Sequence, residues 1–518
     1  METAEKLVGV VVVTKKFMRH INLFIIFFAI SVLAFSQEES SETYKKKVLD
    51  QVEIEFLSSY YKQDGAHGAV GGGLGSEKIQ DVTPTLVINI PVGNNGVLTV
   101  DSGISAYTSA SSSNINPFYS ANSNGEYDEY DDDDKYEDDD DKSTKKNIPN
   151  TYSGASTSGN LTGPIGTPWY ASSGASRKDV LTYVSINYSE SSEDRNRIVS
   201  SNLYVSNEYD YNSLGLGAGI VGLFNQKNTE LGIKAKAFFD QWKPIYPTEL
   251  HEYGVYGSNF LNSGYFNNVN VLDQNGQNTS TYYPSKFKEW TKSNRNSYTA
   301  SLDFSQILSK RAQILFNLDF VYQHGMLSTP YHRIYFNDAP KHYIGLSEFI
   351  PVYETNQNAG VFRLADDIER LPNSRIKIPF GTRLNIYASD VLAVRTFYRY
   401  YYDNWGITSH TASVELPFRI SDSFVFTPSA RYYSQVQANY FKPYGMHSSK
   451  DTFYTSDYDL SGFSSTQFGF GISYKDIFTQ FKVLGFGLKN ADFRFQHYYR
   501  SDGLNAIIYG LSLKFIQN

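Results

Sequence analysis

Between Gln313 and Gln323 the chain alternates. Ile314, Phe316, Leu318, Phe320 and Tyr322 fall on one face. Gln313, Asn317, Asp319 and Gln323 fall on the other, with Leu315 and Val321 as apolar exceptions. Successive side chains of a β-strand point to opposite faces. The segment therefore predicts a strand with one apolar and one wetter face, about as long as the roughly 9–11 residues that cross a membrane. The design recurs near 52–62, 80–91, 97–109, 178–190, 197–209, 213–224, 229–241 and 297–307. It continues after 312–323 near 376–388, 391–404, 407–419, 423–437, 464–475, 490–500 and 504–515. About sixteen strands, within 14–18, predict an all-β chain: a transmembrane antiparallel up-and-down β-barrel, apolar toward lipid and polar toward its lumen.

The connections provide a second test. Such barrels have short turns at the periplasmic end and longer loops outside. With the N-terminus in the periplasm, the connections after even-numbered strands are short, as at Asn94-Asn95, Asn225 to Asn228 and Ser421-Asp422; 476–489 is the exception. The long connections 63–79, 110–177, 242–296, 324–375 and 438–463 all follow odd-numbered strands. The last strand alternates Tyr509, Leu511, Leu513 and Phe515, with three residues beyond. That is close to the terminal signal read by the outer-membrane assembly machinery.

Composition sharpens the picture. Tyr counts 42 and Phe 35 in 518 residues, as expected of aromatic girdles at two membrane interfaces. A mean hydropathy of −0.40 is too polar for a helical membrane protein and suits a barrel. The absence of cysteine excludes disulfides, thiolate metal sites and a cysteine nucleophile. A net charge of −8 gives nucleic-acid binding no support. Lys15, Lys16, Arg19 and His20 before the apolar run from Ile21 to Phe35 read as a signal peptide over 1–36, with Met18 a second candidate start. The alternative is an uncleaved anchor, although the run falls short of the ~20 residues needed to span. Residues 37–518 then form one barrel, placed in the outer membrane of a Gram-negative bacterium with its lipid as immediate partner.

The acidic run from Glu126 to Lys142 lies in the longest outer loop, at about 110–177. Its like charges repel, predicting a disordered, solvated segment. Asp131, Asp132, Asp133, Asp134, Asp138, Asp139, Asp140 and Asp141 could attract divalent cations weakly, but no glycine shapes a specific site. The glycine-rich stretch from Gly71 to Gly75 reads as flexible loop. No catalytic motif appears in a workable context, no cofactor is implied, and the chain reads as no enzyme. The weak candidates are Ser409 and His410 with Asp403, and His497 near Asp492. Adjacent Ser409 and His410 point to opposite faces of a strand and are poorly placed to form a hydrogen-bonded dyad. Strand parity places Glu53, Glu55, Arg395, Arg399, Glu415, Arg431, Asp492, Arg494 and Lys514 on the lumen side, with Lys514 brought beside Glu53 and Glu55 by closure. Such charges form either a bracing network of ion pairs or the lining of a pore. Their mixed signs predict weak charge selectivity.

The segment Tyr401-Tyr402-Asp403-Asn404-Trp405-Gly406-Ile407-Thr408-Ser409-His410, with Pro428 to Gln435, Ile104 to Ser111 and Ser173 to Ser176, resembles an uncharacterised family of Gram-negative outer-membrane proteins, a domain of unknown function. The resemblance implies a barrel, with Asp403, Trp405, Gly406, Ser409 and His410 as its motif residues. It also implies an envelope redox context, with thioredoxin-like or flavin-transfer proteins as partners. Trp405 and Tyr400 to Tyr402 are expected at the outer interface, and the Ser-rich stretches 108–113 and 172–176 as a partial plug. The leading functional expectation is a porin-like channel, or a support for small-solute transport. The alternative is a non-conducting structural or partner-binding barrel, and a hydrolase comes last.

Overall fold

Each long strand pairs antiparallel with the strands before and after it in sequence, and the last pairs with the first. The result is a closed barrel of sixteen strands. In this computed structural model the described residues are 47–109, 178–263, 266–267, 269–351 and 361–517. The leader, the acidic run and the Ser-rich stretches at 110–113 and 172–176 lie outside them.

The strands are β1 (Glu53–Asp64), β2 (Ile79–Val92), β3 (Gly96–Ser109), β4 (Lys178–Ser191), β5 (Arg197–Asn207), β6 (Tyr211–Phe224), β7 (Thr229–Trp242) and β8 (Asn294–Ser309). They continue as β9 (Ala312–Gly325), β10 (Ser374–Tyr387), β11 (Ala393–Asp403), β12 (Thr408–Glu415), β13 (Phe424–Gln435), β14 (Phe463–Lys475), β15 (Phe486–Arg500) and β16 (Asn505–Gln517). Every segment expected from alternation is present within a few residues. The largest departures are four residues: β12 ends at Glu415 instead of 419, and β15 begins at Phe486 instead of 490. The connection that looked too long is thus shortened, and Lys482–Val483 folds back against Phe486 and Gly487.

Alternation decides the two faces. Phe56, Leu86, Leu216, Phe320, Phe468 and Leu511 are large apolar side chains exposed on the outside of the wall. In water each would forgo about 1.5–3 kcal/mol of burial, so the surface is built for lipid. Tyr298, Tyr322, Tyr400, Tyr402, Tyr432 and Tyr499 lie outward near the long-loop end, as an interfacial belt requires. Closure aligns Glu55 with Lys514 and Ile54 with Phe515, so polar meets polar inside and apolar meets apolar outside.

The long-loop end carries a folded cap built from the described residues of the connections 65–78, 243–293, 326–373 and 436–462. Among the described residues it holds one α-helix, α1 (Thr248–Tyr256), and a small sheet pairing 361–363, 342–345, 271–273 and 278–279. Its apolar cores include Phe260, Phe266, Ile344 and Phe362 in one cluster and Leu250, Tyr335 and Ile368 in another, all nearly or fully buried. The stretch Gly71–Gly75, expected to be flexible, is packed into this cap. A Cβ on Gly72 would lie 2.8 Å from the Tyr335 ring, and one on Gly73 2.8 Å from the Ser456 carbonyl. Both glycines have positive φ, so they serve close approach at a left-handed turn.

Candidate functional site

The connection between β1 and β2 and the connection between β9 and β10 start eight strands apart, on opposite sides of the ring. They touch. The Arg333 guanidinium donates to the Val70 carbonyl at 3.2 Å, and His67 stacks on Tyr458 of the 436–462 loop at 3.7 Å between ring centres. The cap therefore bridges the long-loop mouth. Its central tie is a forked pair: Arg333 Nε to Glu249 Oε1 at 2.9 Å and Nη2 to Oε2 at 3.4 Å. Their side chains are 1 % and 0 % exposed. Glu249 also accepts from the Ala365 N–H at 3.3 Å.

At the other end the lumen opens into a vestibule of about 620 Å³. Lys310, Arg383, Arg395 and Arg494 line it, with Glu415 the one acid among the lining residues. Strand β15, which carries Arg494, lies four and five strands round the ring from β11 and β10, so side chains from separated parts of the wall meet inside the barrel. Arg395 and Glu415 approach only to 3.8 Å and remain about half and a third exposed. This is a hydrated, loosely paired arrangement that leaves the cations open to a solute.

The remaining lumen candidates are placed as follows. Glu53 takes Lys489 and Lys514 at 2.8 Å each, and Glu55 accepts from Ser512 at 2.7 Å. Arg399 lies opposite Thr411, Arg431 opposite Ser413, and Asp492 opposite Ser473, all on the inner face. The structure thus separates a braced sector around Glu53 from the cation-rich vestibule. Sequence reading missed Arg383 and Lys310. Arg383 sits on β10, whose inner face was readable from its parity. Lys310 sits in a turn, where parity gives no orientation.

The motif residues do a different job from the one expected. Asp403 is fully buried and holds the β11–β12 turn. It accepts from Arg375 Nε at 2.9 Å, Tyr401 Oη at 2.8 Å, Trp405 N at 2.9 Å and Ile407 N at 3.0 Å. Trp405 is not at the lipid interface. It is 2 % exposed, donates from its indole to the Ser374 carbonyl at 3.0 Å, and lies against the Arg375 guanidinium at 4.2 Å. Tyr401 likewise turns inward to Asp403, while Tyr400 and Tyr402 do face outward. Gly406 has positive φ, and a Cβ there would press on Asn439. Ser409 is buried on the inner face, whereas His410 faces outward and pairs with Tyr398 Oη at 2.8 Å. Asp492 and His497 also fall on opposite faces of β15.

A further cluster lies in the cap. His332, Glu369 and Asp457 each bring one donor atom within 4.8 Å of the others. Burial, then neighbouring Asp459, push the Asp457 carboxyl up to about 6. Burial, then Asp459 and Asp457, push Glu77 up to about 7. Burial opposes protonation of His332, but Glu369 outweighs it and raises the imidazole.

Solved structures similar to this chain include outer-membrane proteins. A bacterial polysaccharide outer membrane secretin is 10 % identical over 91 % of this chain and 100 % of its own, with a TM-score of 0.40. OpdK of Pseudomonas aeruginosa, solved with vanillate, is 8 % identical over 90 % and 98 %, with a TM-score of 0.33. A BenF-like porin from Pseudomonas fluorescens Pf-5 is 8 % identical over 90 % and 98 %, with a TM-score of 0.35. At such distance nothing about a solute passes from them to this chain. No curated protein matches the sequence. The family model described as "Protein of unknown function (DUF3570)" matches residues 25–506, and the chain belongs to that family.

Proposed function

We propose that this chain is a channel of the Gram-negative outer membrane that admits small anionic solutes. The observation that carries the reading is the vestibule, where four basic side chains surround one acid. Elsewhere on the inner wall some charges are closely paired, as at Glu53 with its two lysines and at Lys234 with Asp303. A local surplus of guanidinium groups in a confined, low-dielectric space concentrates anions and speeds their entry. Arginine also presents a planar fork suited to carboxylate or phosphate. The bridged mouth makes the cap the gate. The reading assigns no reaction and no cofactor to the chain.

The test is the reversal potential of the purified barrel in a planar bilayer under a KCl gradient. Anion preference is expected, and Arg383→Glu with Arg395→Glu and Arg494→Glu should move it toward cations. An unchanged reversal potential would remove the vestibule from the account.

The cap favours a second reading, a non-conducting barrel whose folded loops bind a partner such as the envelope redox or flavin-transfer proteins that the family resemblance implies. Absence of any current from a correctly folded barrel would favour it.

A further inference from the structure

His332 and Glu369 sit on facing stretches of the 326–373 loop. The Glu369 N–H donates to the His332 carbonyl at 2.9 Å. Asp457 arrives on a different loop, 436–462, so the three donors meet only because the cap folds. Nδ1 of His332 is shut off from solvent and makes no hydrogen bond. Its nearest acid, Glu369 Oε1, stands 3.7 Å away, too far for one. A buried ring nitrogen held only by this long ion pair is poorly satisfied, and a bound metal would satisfy it. Glu369 is only 2 % exposed and is held in place by the Thr329 N–H on Oε2 at 2.7 Å and by Thr455 Oγ1 on Oε1 at 2.5 Å. Outer contacts of this kind orient metal ligands.

The charge balance points the same way. Glu77, Glu369, Asp457 and Asp459 crowd one region of the cap. Arg500, the basic side chain nearby, is taken by Asp459 and by Asp502 at 2.7 Å. The region therefore carries a surplus of negative charge around His332.

We propose that His332, Glu369 and Asp457 bind one first-row divalent transition cation of the Zn²⁺ type, which pins the 326–373 loop to the 436–462 loop. One imidazole and two carboxylates suit such a metal, whereas Ca²⁺ and Mg²⁺ take oxygen donors. Ligands about 2.0–2.2 Å from zinc in a tetrahedron stand about 3.3–3.6 Å apart. The observed spread of up to 4.8 Å must contract by about 1 Å for the metal to bind. The fourth position is open to water or to Glu77, which lies close enough to act electrostatically on both Asp457 and His332. The site does not depend on whether the lumen conducts.

The experiment is titration of the full, detergent-folded barrel with ZnCl2, read by calorimetry and by metal content after gel filtration. One tightly held Zn²⁺ per chain is expected. His332→Ala and the near-isosteric Asp457→Asn should each weaken it by at least about 100-fold. Asp451→Asn, at a partly exposed pair with Lys442 in the same loop, should bind as the parent does. Weak, unsaturable binding by the acidic run would be common to all. Folding is checked by heat-modifiable migration; if His332→Ala fails that check, Asp457→Asn carries the test. A parent that retains no stoichiometric zinc, or a folded Asp457→Asn that binds it undiminished, would overturn the site.

Discussion

Glu249→Gln is the sharpest probe of the cap. The substitution keeps the shape and removes the charge facing Arg333, leaving a guanidinium that is 1 % exposed without its counter-ion. Breaking a buried pair from one side costs about 3–5 kcal/mol, because the remaining charge stays desolvated. At about 1.4 kcal/mol per tenfold, the cap should open roughly 150-fold to several thousand-fold more often. The chain has no cysteine, so a single introduced thiol reports opening cleanly. Val361 is fully buried in the cap, and Val361→Cys should react with a water-soluble thiol reagent only through opening. Adding Glu249→Gln should raise that rate by at least about 100-fold while the barrel keeps its heat-modifiable migration. Replacing both partners, Glu249→Leu with Arg333→Met, should recover most of the loss, because no charge is then stranded. A rate change below about fivefold would match an exposed pair and refute the buried tie across the mouth.

Other consequences follow from the same geometry. Asp403→Asn should lower the barrel's urea midpoint by an amount equivalent to about 3 kcal/mol, since Arg375 loses its anion; an unchanged midpoint would show that the turn does not rest on that pair. Leu318→Arg on the outer face should cost about 2–4 kcal/mol in folding into bilayers, whereas Gln313→Arg on the inner face of the same strand should be nearly neutral. Equal costs would contradict the assigned faces. Gly469→Ala should destabilise the wall by about 1–3 kcal/mol, because its Cβ would lie 2.3 Å from the Phe495 carbonyl; normal stability by urea titration would count against the tight β14–β15 contact. Burial, opposed by Arg363, raises Asp366 to about 6, above the usual ~3.9. Its favourable contribution to the cap is therefore full below about pH 4 and lost as pH rises through 6. Cap urea midpoints for parent minus Asp366→Asn should fall across that window, and a rising difference would reverse the sign.

The wall was legible in the sequence because lipid and lumen impose opposite chemistry on alternate residues. Ile314 to Tyr322 shows it without help from tertiary contacts. The loop parity was legible for a similar reason, since short turns can occur only where the chain reverses at once. The cap was not. Val271, Ile334, Ile344 and Phe362 lie in apolar pairs and triplets too short to carry a period, and they read as loop. A usable signal was present: the 326–373 connection packs core-type residues such as Ile334, Tyr335 and Phe336 beside charged Arg333 and Arg363, which a solvated loop does not need. Trp405 was misplaced because a tryptophan near a strand end suits a lipid interface and a folded cap equally well. His332, Glu369 and Asp457 share no motif spacing, and only the ring topology brings their loops together. Arg395, Glu415 and Arg494 were assignable to the inner face by parity, but their shared vestibule required knowing how the closed ring brings β15 near β11 and β12.

The most direct measurement is the reversal potential across a planar bilayer under a tenfold KCl gradient, taken on the parent and on the triple variant Arg383→Glu, Arg395→Glu, Arg494→Glu. The account predicts discrete anion-preferring steps in the parent and cation preference in the variant. Current with the same reversal potential in both, or no current from a folded barrel, would contradict it.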